Sequence, residues 1–460
     1  MSDRQGAKGG FDFVIIGAGA AGEAAAHLAA ARGASAAVIE RELVGGSCAF
    51  WACIPSKSLL HDARIHSLGG DRSWRRASDR RDYNINREGI DWPDDSSHLR
   101  RLEEAGVKVL RGEARIVGPG RVEVSGAGER REITAADVIV AIGSRSSVPA
   151  VEGLERVRGW TNREATSARE LPGSLLILGG GPTGVELAQV YARYGVPVTI
   201  VHAGERLNHR DHPLNSAAVE SVLRAGGVDV RTGVRAQSVS VAEKGSDAHQ
   251  VTLSDGSSAA GHEILLAVGR TVPRDGLGLE AAGAGLRDGR LPGDGRLRLA
   301  NGLWVVGDPA GPEMHTHLAH YQGEMAVRMA LGDDVTPDYR AIPRAVYLDP
   351  PVAGVGLTLD EARAAGIDAA ELTQDLAATA PGYVGDTTGH AVVVYDRGAG
   401  TVVGAFLAGP GAGEAIHEAV LAVKLRTSLT VLADTLHAFP TLARVMGALF
   451  AQAAADTQRR

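Results

Sequence analysis

The two cysteines of the 460-residue chain, Cys48 and Cys53, lie close together in the stretch GGSCAFWACIPSK. A disulfide requires Cα atoms within about 4.4–6.8 Å of each other, whereas helix positions five apart are separated by about 7.5 Å along the axis. A bridge between the two thiols therefore requires a distorted turn. The permissive backbone of Gly45 and Gly46, followed by Ser47, can supply that distortion. A pair of thiols at this spacing can carry redox chemistry.

Pro55 and Lys57 predict how the second cysteine is held. Proline fits the first turn of a helix, where its missing N–H is not needed, so we expect Cys53 at a helix N-terminus. That position lowers the pKa of a thiol and stabilises the thiolate. Lys57 then projects from the same helix one turn later. The alternatives are weaker, because a structural bridge across so short a loop stabilises little and the histidines show no zinc-site spacing.

Composition limits the possible classes of function. Sixty glycines with only 4% aromatic residues are typical of an α/β protein with tight turns. The formal net charge of −7 gives no basic footprint for nucleic acid. No run of eighteen apolar residues occurs, and the first ten residues lack an apolar signal core. We therefore expect no membrane partner and a cytoplasmic location, where a close cysteine pair is more often redox-active than structural.

A strand-length apolar run, FDFVIIG, opens a nucleotide-binding pattern near the N-terminus. Gly17, Gly19 and Gly22 form GxGxxG before an alanine-rich helix, and the next strand ends in Glu40. These glycines permit a tight turn, approach of the backbone to a pyrophosphate, and close packing of helix on strand. The helix N-terminus faces the phosphates. Glu40 is expected to accept hydrogen bonds from an adenosine ribose.

The same pattern occurs again in the middle of the chain. Gly179, Gly181 and Gly184 form a second GxGxxG between a strand and a helix. His202 follows its first glycine by 23 residues, the same separation as that of Glu40 in the first copy. Without an acid at this position, discrimination for a free ribose 2′-OH is lost.

Three cations close to this second pattern, Arg206, His209 and Arg210, can meet a 2′-phosphate. The sequence therefore favours NADP(H) over NAD(H). The alternative is that the three residues are only surface cations on a loop.

The segments between the two patterns carry weaker signals. Residues 61–101 are charged and poorly periodic, and they predict a helix tail followed by loops without chemistry. Four short alternating runs between residues 107 and 134 predict a β-meander inserted before a closing strand at residues 137–141. Gly143 and Gly269 follow the two predicted closing strands. Asp308, after an apolar strand and a glycine, suits hydrogen bonding to the polyol chain of a cofactor.

With these motifs in order, the chain resembles the FAD-dependent pyridine nucleotide–disulfide oxidoreductases, which include dihydrolipoamide dehydrogenase, glutathione reductase and mercuric reductase. The resemblance implies an α/β fold with two Rossmann-like dinucleotide-binding domains, one for FAD and one for NAD(P)H, and a C-terminal α+β dimerisation domain. The implied FAD domain comprises residues 1–150 and 271–335. Residues 151–270 would form the NAD(P)H domain and residues 336–460 the dimerisation domain. A homodimer acting on a small-molecule substrate is implied.

The resemblance also assigns roles to individual residues. Those implied to bind FAD are Gly17, Gly19, Gly22, Glu40, Gly46, Ser47, Gly143, Asp308 and Ala319. Those implied to bind NAD(P)H are Gly179, Gly181, Gly184, His202, Arg206 and Gly269. Cys53 is implied to be the flavin-proximal thiolate and Cys48 the thiol that exchanges with substrate. Lys57, paired with Glu186, would stabilise the negative charge of reduced flavin.

The sequence departs from the family at its acid/base motif, HPTxxE. Pro440 and Thr441 fix the register, so that Phe439 stands where the base histidine is expected and Arg444 where its glutamate is expected. His437 lies two residues earlier, which in an extended segment keeps the same face but moves the side chain by about 6–7 Å. His437 can replace the base only if the backbone is displaced. The alternative is a histidine that makes a local hydrogen bond.

Three functions remain open. The first is a disulfide reductase that passes electrons from NAD(P)H through FAD to a Cys48–Cys53 disulfide and on to a disulfide substrate. The second is an NAD(P)H-dependent flavin reductase of quinones, metal ions or other electrophiles, favoured by the missing dyad and by an apolar face formed by Phe50, Trp51 and Phe439. The third is a non-catalytic flavoprotein that serves as a binding module.

Overall fold

The computed structural model describes residues 10–241, 248–285, 291 and 295–459. Its α-helices are α1 Ala20–Ala31, α2 Gly46–Phe50, α3 Cys53–Ser67, α4 Trp74–Asn84, α5 Ser96–Glu104, α6 Asn162–Ser167, α7 Pro182–Arg193, α8 Pro213–Ala225, α9 Thr316–Ala330, α10 Leu359–Ala364, α11 Ala380–Gly385, α12 Ala412–Leu425, α13 Leu429–Asp434 and α14 Leu442–Gln458. Short 3-10 helices span Leu154–Arg156, Leu279–Ala282 and Leu376–Ala378.

The strands are β1 Phe11–Ile16, β2 Ala36–Glu40, β3 Lys108–Arg111, β4 Glu113–Gly118, β5 Arg121–Gly126, β6 Glu129–Val140, β7 Arg145–Ser146, β8 Leu175–Leu178, β9 Val198–Val201, β10 Asp229–Arg231, β11 Ala236–Ser240, β12 His249–Leu253, β13 Ser258–Gly261, β14 Glu263–Leu266, β15 Arg270–Thr271, β16 Arg298–Ala300, β17 Leu303–Val305, β18 Arg344–Val346, β19 Val352–Gly356, β20 Ala369–Asp375, β21 His390–Asp396 and β22 Thr401–Ala408. The chain divides into two compact units. Unit 1 comprises Met1–Ser56, Asp79–Ser147 and Arg270–Pro337, and unit 2 comprises Lys57–Ser78, Val148–Gly269 and Asp338–Arg460.

Unit 1 is built on a largely parallel sheet with the strand order β16-β17-β6-β1-β2-β3. Strand β1 pairs in parallel with both β2 and β6, and the apolar β1 and β2 are buried. Continuous apolar strands are expected where helices cover a parallel sheet. Helices α1 and α9 pack so closely that a Cβ on Gly323 would lie 2.3 Å from the carbonyl oxygen of Ala21. The carboxyl end of β1 carries the first glycine loop, the position at which doubly wound sheets place their ligand-binding crevice.

Two sequence-based expectations are wrong in this part of the chain. Strand β3 joins the main sheet in parallel with β2, so the meander consists of β4, β5 and the first half of β6. Strand β6 runs unbroken from the meander into the main sheet, because its sequence ERREITAADVIV contains neither glycine nor proline. Residues 61–101, expected to be a helix tail with loops, contain α4 and the start of α5. Helix α5 is amphipathic and buries Leu102.

Unit 2 contains a second parallel sheet, with the order β10-β9-β8-β14, beside the antiparallel strands β11-β12-β13. Its C-terminal part is a five-stranded antiparallel sheet, β18-β19-β22-β21-β20, covered by α12 and α14. Phe450 of α14 and Ile416 of α12 are buried in the core between helices and sheet. The architecture is that of two parallel sheets, one in each unit, and a separate α+β segment.

Candidate redox and nucleotide sites

Cys48 and Cys53 lie on two successive helices. Cys48 is in the short α2, Cys53 begins α3, and Trp51 between them leaves the helical conformation with φ −129° and ψ −6°. The distortion that a bridge requires is therefore located at Trp51. Gly45 and Gly46, expected to supply it, instead start α2 in left-handed conformations with φ of 109° and 65°.

The sulfur of Cys53 lies at the N-terminal ends of two helices. Cys53 is the first residue of α3, and its Sγ is 3.4 Å from Oγ1 of Thr316, the first residue of α9. The positive ends of helix dipoles stabilise anions, and a hydroxyl can donate a hydrogen bond to a thiolate. This environment favours the thiolate form of Cys53.

The aromatic residues between the cysteines are buried. Phe50 is 2% exposed and Trp51 is 5% exposed. The ring of Trp51 lies 5.1 Å from that of Trp92, and the ring of Phe50 lies 5.6 Å from that of His98. The expectation that Phe50 and Trp51 form an apolar binding face is therefore wrong, because the chain around α5 packs over them.

In unit 2, Lys57 and Glu186 form the expected pair. Lys57 Nζ lies 2.7 Å from Oε2 of Glu186, whose side chain is 5% exposed. The other carboxylate oxygen accepts a hydrogen bond of 3.0 Å from the backbone N–H of Tyr347. Lys57 Nζ also lies 4.8 Å from the centre of the Tyr347 ring. An uncompensated buried carboxylate is strongly unfavourable, so the Glu186 carboxylate requires the Lys57 ammonium as its partner. The ion pair therefore keeps the ammonium group of Lys57 in a fixed position.

The backbone of the first glycine loop is packed so closely that side chains would not fit at its first and last glycines. A Cβ on Gly17 would lie 2.4 Å from the carbonyl oxygen of Ala141, and one on Gly22 would lie 1.9 Å from that of Gly17. A Cβ on Gly46 would lie 2.7 Å from Cα of Gly19. The N-terminus of α1 has no side-chain cap. Backbone N–H groups at such an end bind phosphates, so this loop fits the pyrophosphate of FAD.

Glu40 ends β2 beside this loop and is 8% exposed. Its carboxylate accepts hydrogen bonds of 2.7 Å from the backbone N–H groups of Ala18 and Glu42. Burial raises the pKa of Glu40, and the two backbone hydrogen bonds oppose that rise. The side chain thus lies against the second residue of the glycine loop.

Asp308 belongs to a polar cluster in unit 1. The Ser144 hydroxyl donates a hydrogen bond to the Asp308 carboxylate. Arg270 donates through Nε to Ser144 Oγ at 2.6 Å and through Nη2 to the Ser144 carbonyl at 2.7 Å. Its Nε also lies 3.6 Å from the Asp308 carboxylate. Gly143, with φ of 60°, directs the chain from β6 into this cluster.

Helix α9 sets the position of the loop that carries Asp308. The backbone N–H of Gly307 donates a hydrogen bond of 2.8 Å to Oε1 of the fully buried Gln322. A Cβ on Gly307 would lie 3.7 Å from Cβ of Ala319. Ala319 therefore lies near Asp308, as expected for residues of one site.

The second glycine loop, in unit 2, likewise leaves no room for side chains at its first and last glycines. A Cβ on Gly179 would lie 2.2 Å from the Ala267 carbonyl oxygen, and one on Gly184 would lie 2.3 Å from that of Gly179. A Cβ on Gly181, at the N-cap of α7, would meet nothing within 4 Å. Gly269 has φ of 128° and is likewise open. The loop fits the pyrophosphate of a dinucleotide.

His202 lies against this loop as Glu40 does against the first. Its Nδ1 accepts a hydrogen bond of 3.1 Å from the backbone N–H of Gly180. Burial lowers the pKa of His202, and the neighbouring His209 lowers it further. Because Nδ1 is the acceptor, His202 is neutral and carries its proton on Nε2.

Arg206 lies on the loop that follows His202. Its guanidinium donates to Ser216 Oγ at 3.3 Å and to the His209 carbonyl at 3.4 Å. His209 and Arg210 are exposed. These three residues form a basic surface next to the second glycine loop.

The acid/base motif is rearranged. Phe439 is 75% exposed, whereas the His437 side chain is only 5% exposed. His437 Nε2 lies 2.8 Å from Oε1 of Glu418, and a Cβ on Gly447 would lie 2.5 Å from its Nδ1. His437 therefore makes a local hydrogen bond, and its ring is not presented at the protein surface. The geometry argues against the expectation that His437 replaces the base.

Comparison with known proteins identifies the family. Residues 11–323 match the family described as pyridine nucleotide-disulphide oxidoreductase. Residues 342–449 match the dimerisation domain of the same family. The chain is a pyridine nucleotide–disulfide oxidoreductase. It is therefore a flavin-dependent enzyme that uses a pyridine nucleotide, and the dimerisation domain supports a homodimer.

Individual relatives of this oxidoreductase extend over almost its whole length. The dihydrolipoyl dehydrogenase of Chlorobaculum tepidum is 33% identical over 458 residues, which cover 95% of each chain. The mercuric reductase of Streptomyces lividans is 31% identical over 455 residues, again 95% of each chain.

Two solved structures share the fold. The HOCl-induced flavoprotein disulfide reductase RclA from Escherichia coli aligns with a TM-score of 0.85 and 27% identity, covering 96% of this chain and 99% of RclA. LpdA from Mycobacterium tuberculosis aligns with a TM-score of 0.86 and 26% identity over the same shares. The predicted α/β fold class is confirmed. Within the part of the chain that the structure describes, no helix is long and apolar enough to cross a membrane.

Several residues of this oxidoreductase contact the predicted site residues but were not in the predicted set. They are Ser144, Arg270, Thr316, Gln322 and Tyr347. Ser144 and Arg270 each follow a glycine that lies three residues beyond the end of a strand, a position that could have indicated them. Thr316 stands between two histidines in EMHTHLAH, an unusual grouping that could have drawn attention to this turn. Gln322 and Tyr347 have no signal in the sequence.

Proposed function

We propose that this oxidoreductase passes electrons from NADPH through FAD to the Cys48–Cys53 pair, and from there to a disulfide substrate. The observation that carries the proposal is the environment of Cys53 at the N-termini of α3 and α9, with its sulfur 3.4 Å from the Thr316 hydroxyl. A thiolate stabilised in this way suits a thiol that relays electrons. Cys48, half-buried on the preceding helix, would be the thiol that exchanges with substrate.

The residues around the two glycine loops would hold the cofactors. FAD would be bound by Gly17, Gly19, Gly22, Glu40, Gly46, Ser47, Gly143, Asp308 and Ala319. NADPH would be bound by Gly179, Gly181, Gly184, His202, Arg206 and Gly269. When bound, FAD supplies the two-electron relay between a nicotinamide and a disulfide.

The chain's own charged residues would support this chemistry. Lys57, held at 2.7 Å by Glu186, would place a positive charge where negative charge develops during reduction. Preference for NADPH would come from the exposed His209 and Arg210 together with Arg206, since cationic side chains bind a 2′-phosphate. A neutral His202 adds no negative charge that would repel the phosphate.

We also propose which residues form each domain. Residues 1–150 and 271–335 would form the FAD domain, residues 151–270 the NADPH domain and residues 336–460 the dimerisation domain. Exposed apolar residues in the last of these suit burial against a second subunit: they are Leu421, Leu425, Val431, Leu436 and Phe439.

The Cys48→Ser variant tests the proposed thiol exchange. We expect NADPH to reduce the flavin of this variant at the wild-type rate, because Cys48 takes no part in that half of the reaction. We expect disulfide turnover to be lost, because serine cannot exchange with a disulfide. Disulfide turnover at the wild-type rate in this variant would overturn the proposal.

A second candidate is direct reduction of an electrophile by the flavin. It is favoured by Phe439, which is 75% exposed where the family places its base, since electron transfer to a quinone or metal ion needs no thiol-protonating dyad. RclA has been solved as a Cu(II) complex, which makes copper a suitable first acceptor to test. NADPH oxidation by Cu(II) or a quinone that is unchanged by Cys48→Ser, together with no disulfide turnover in the wild type, would favour this candidate.

A further inference from the structure

The loop that joins β9 to α8, residues 203–212, is fixed by buried polar side chains. We call it the basic loop, since it carries the three cations proposed to bind the 2′-phosphate. Its backbone meets the second glycine loop, because the Asn208 N–H donates a hydrogen bond of 2.7 Å to the Gly180 carbonyl oxygen. Under the proposed function, on which the following inference rests, the position of the basic loop decides whether its cations reach the 2′-phosphate.

The side chain of Arg206 depends on the first turn of α8. Its guanidinium donates to Ser216 Oγ at 3.3 Å, and Ser216 Oγ donates to the Asn208 carbonyl oxygen at 3.4 Å. Ser216 is 2% exposed and Asn208 is 8% exposed. The direction of the Arg206 side chain therefore depends on where α8 begins relative to the second glycine loop.

Asp211 fixes the turn between the basic loop and α8. Its carboxylate accepts hydrogen bonds of 2.8 Å from the His212 backbone N–H and 3.2 Å from Asn208 Nδ2. Asp211 is buried. A Cβ on Gly354 of β19 would lie 3.0 Å from Oδ1 of Asp211. The turn is thus packed directly against the five-stranded antiparallel sheet of unit 2, which we call the C-terminal sheet.

His212, the N-cap residue of α8, links this turn to the C-terminal sheet. Its Nδ1 accepts a hydrogen bond of 3.2 Å from the Leu214 backbone N–H, so the ring is neutral and carries its proton on Nε2. This Nε2 donates to Oε2 of Glu371 in β20, at 3.2 Å. The ring also stacks on that of Phe406 in β22, with 4.9 Å between the centres. The start of α8 is therefore bound to two strands of the sheet.

Asn215 makes a second link between α8 and the C-terminal sheet. Its fully buried side chain donates through Nδ2 to the Ala353 carbonyl oxygen at 3.0 Å, and its Oδ1 lies 2.7 Å from Nε2 of His390. Burial lowers the pKa of His390 to about 4, so at pH 7 the ring is neutral and donates to Asn215. Movement of α8 would leave these buried groups unpaired, which is strongly unfavourable.

We propose that the C-terminal sheet sets the preference for NADPH by positioning the basic loop. Glu371 acts through His212, and His390 acts through Asn215. Both pairs hold the first turn of α8, which directs Arg206 toward the 2′-phosphate. Apolar side chains would also pack α8 on the sheet, but a fully paired polar network fixes one arrangement. Glu371 and His390 are positioning residues, and they lie in the part of the chain proposed to form the dimerisation domain.

The Glu371→Leu variant of the FAD-loaded enzyme tests the proposal, because leucine offers no acceptor to His212. Calorimetric titration with NADP⁺ and NAD⁺ measures binding without reducing the flavin. We expect the Kd for NADP⁺ to rise about tenfold, the smaller end of the contribution of a hydrogen bond to a charged group. The Kd for NAD⁺ should change by less than about twofold, because NAD⁺ has no 2′-phosphate. The limiting rate of flavin reduction at saturating NADPH should be unchanged.

Two further substitutions serve as controls. Glu371→Gln keeps an oxygen that can accept from His212, and it should restore most of the affinity for NADP⁺. Glu220→Leu makes the same change of residue type on α8, where Glu220 lies 2.8 Å from Arg224 of the same helix. It should leave both dissociation constants unchanged.

The double variant Arg206→Ala with Glu371→Leu separates positioning from a general loss of structure. If Glu371 acts through Arg206, adding Glu371→Leu to Arg206→Ala should raise the Kd for NADP⁺ by less than about twofold. Full additivity would overturn the inference, as would equal weakening of NADP⁺ and NAD⁺, or no weakening of either, in Glu371→Leu. If the wild-type enzyme binds NADP⁺ no more tightly than NAD⁺, the proposed preference for NADPH itself fails, and the inference fails with it.

Discussion

Ala18 and Gly180 occupy the same place in the two glycine loops, and their backbone N–H groups are bound by different side chains. Ala18 donates to the Glu40 carboxylate at 2.7 Å, and Gly180 donates to the His202 imidazole at 3.1 Å. Each acceptor stands at the end of the strand that follows the loop. The comparison shows that the loop needs a hydrogen-bond acceptor at this point, and that a carboxylate or a neutral imidazole can serve.

The two acceptors differ in what else they can do. A carboxylate has further lone pairs for ribose hydroxyls, and its charge repels a 2′-phosphate. The neutral His202 has no charge, and Arg206, His209 and Arg210 lie on the following loop. Under the proposed function, the same backbone geometry would serve FAD at the first loop and NADPH at the second.

The largest effects should come from the matched glycines that close each loop. We expect Gly22→Ala to abolish flavin binding, because the new Cβ would lie 1.9 Å from the Gly17 carbonyl oxygen. Gly184→Ala places a Cβ 2.3 Å from the Gly179 carbonyl oxygen. This variant should keep the flavin, but its KM for NADPH should rise about tenfold, because overpacking typically costs about 1–3 kcal/mol. Flavin absorbance and steady-state kinetics measure the two outcomes.

Gly118→Ala is the control, because its added Cβ would meet only the Arg121 side chain at 3.6 Å. It should bind both cofactors normally. If Gly184→Ala lost its flavin while Gly22→Ala retained it, the assignment of the two loops would be reversed.

The glycine loops were predictable because their geometry depends on local spacing. The positions of Glu40 and His202 followed from the 23-residue separation that the two copies share. The burial of Phe50 and Trp51 was not predictable, since it depends on Trp92 and His98, which are distant in sequence.

The same limit applies to the contacts around the cofactor sites. Arg270 reaches Ser144 across 126 residues, and Thr316 reaches Cys53 across 263. Sequence spacing carries no information about such pairs. His437 could be identified as a candidate from its sequence position, but its burial depends on Glu418 of α12 and Gly447 of α14.

Replacing His202, the hydrogen-bond acceptor of the second glycine loop, should shift the preference between NADPH and NADH. We expect His202→Glu to change the ratio of kcat/KM for NADPH and NADH by about 10–100-fold toward NADH, because hydrogen bonds to a charged group contribute about 1.5–3 kcal/mol. Steady-state kinetics with both nucleotides measure the ratio. His209→Glu adds a carboxylate to the same loop without the Gly180 contact. This variant should lower kcat/KM for NADPH without raising kcat/KM for NADH to the same extent. An unchanged ratio in His202→Glu would contradict the role given to this position.

The smallest effect concerns pH. Burial and His209 lower the pKa of His202 below its ordinary value of 6.5, so the ring is neutral at pH 7 and accepts the Gly180 N–H. As the pH falls through the lowered pKa, the ring gains a proton and loses its acceptor. The new positive charge attracts a 2′-phosphate, so the loss of the hydrogen bond is seen most cleanly with NADH, which has none. We expect the affinity for NADH to fall a few-fold there, about the contribution of one neutral hydrogen bond.

His202→Asn is the matched variant for this pH effect, because its amide oxygen accepts the same N–H and does not titrate. Fluorescence titration with NADH between pH 7 and pH 5 should show the decrease in the wild type and little of it in the variant. An identical decrease in both proteins would assign the effect to another group.

Anaerobic titration of the flavoenzyme with NADPH, followed by absorbance, tests most directly whether electrons reach the cysteine pair. We expect a long-wavelength charge-transfer band to appear at one equivalent of NADPH, because the Cys53 sulfur lies at the N-termini of α3 and α9 beside the Thr316 hydroxyl, an environment that stabilises a thiolate. The band should be absent in Cys53→Ser. Bleaching of the wild-type flavin without the band would contradict the account, because the electrons would then stop at the flavin.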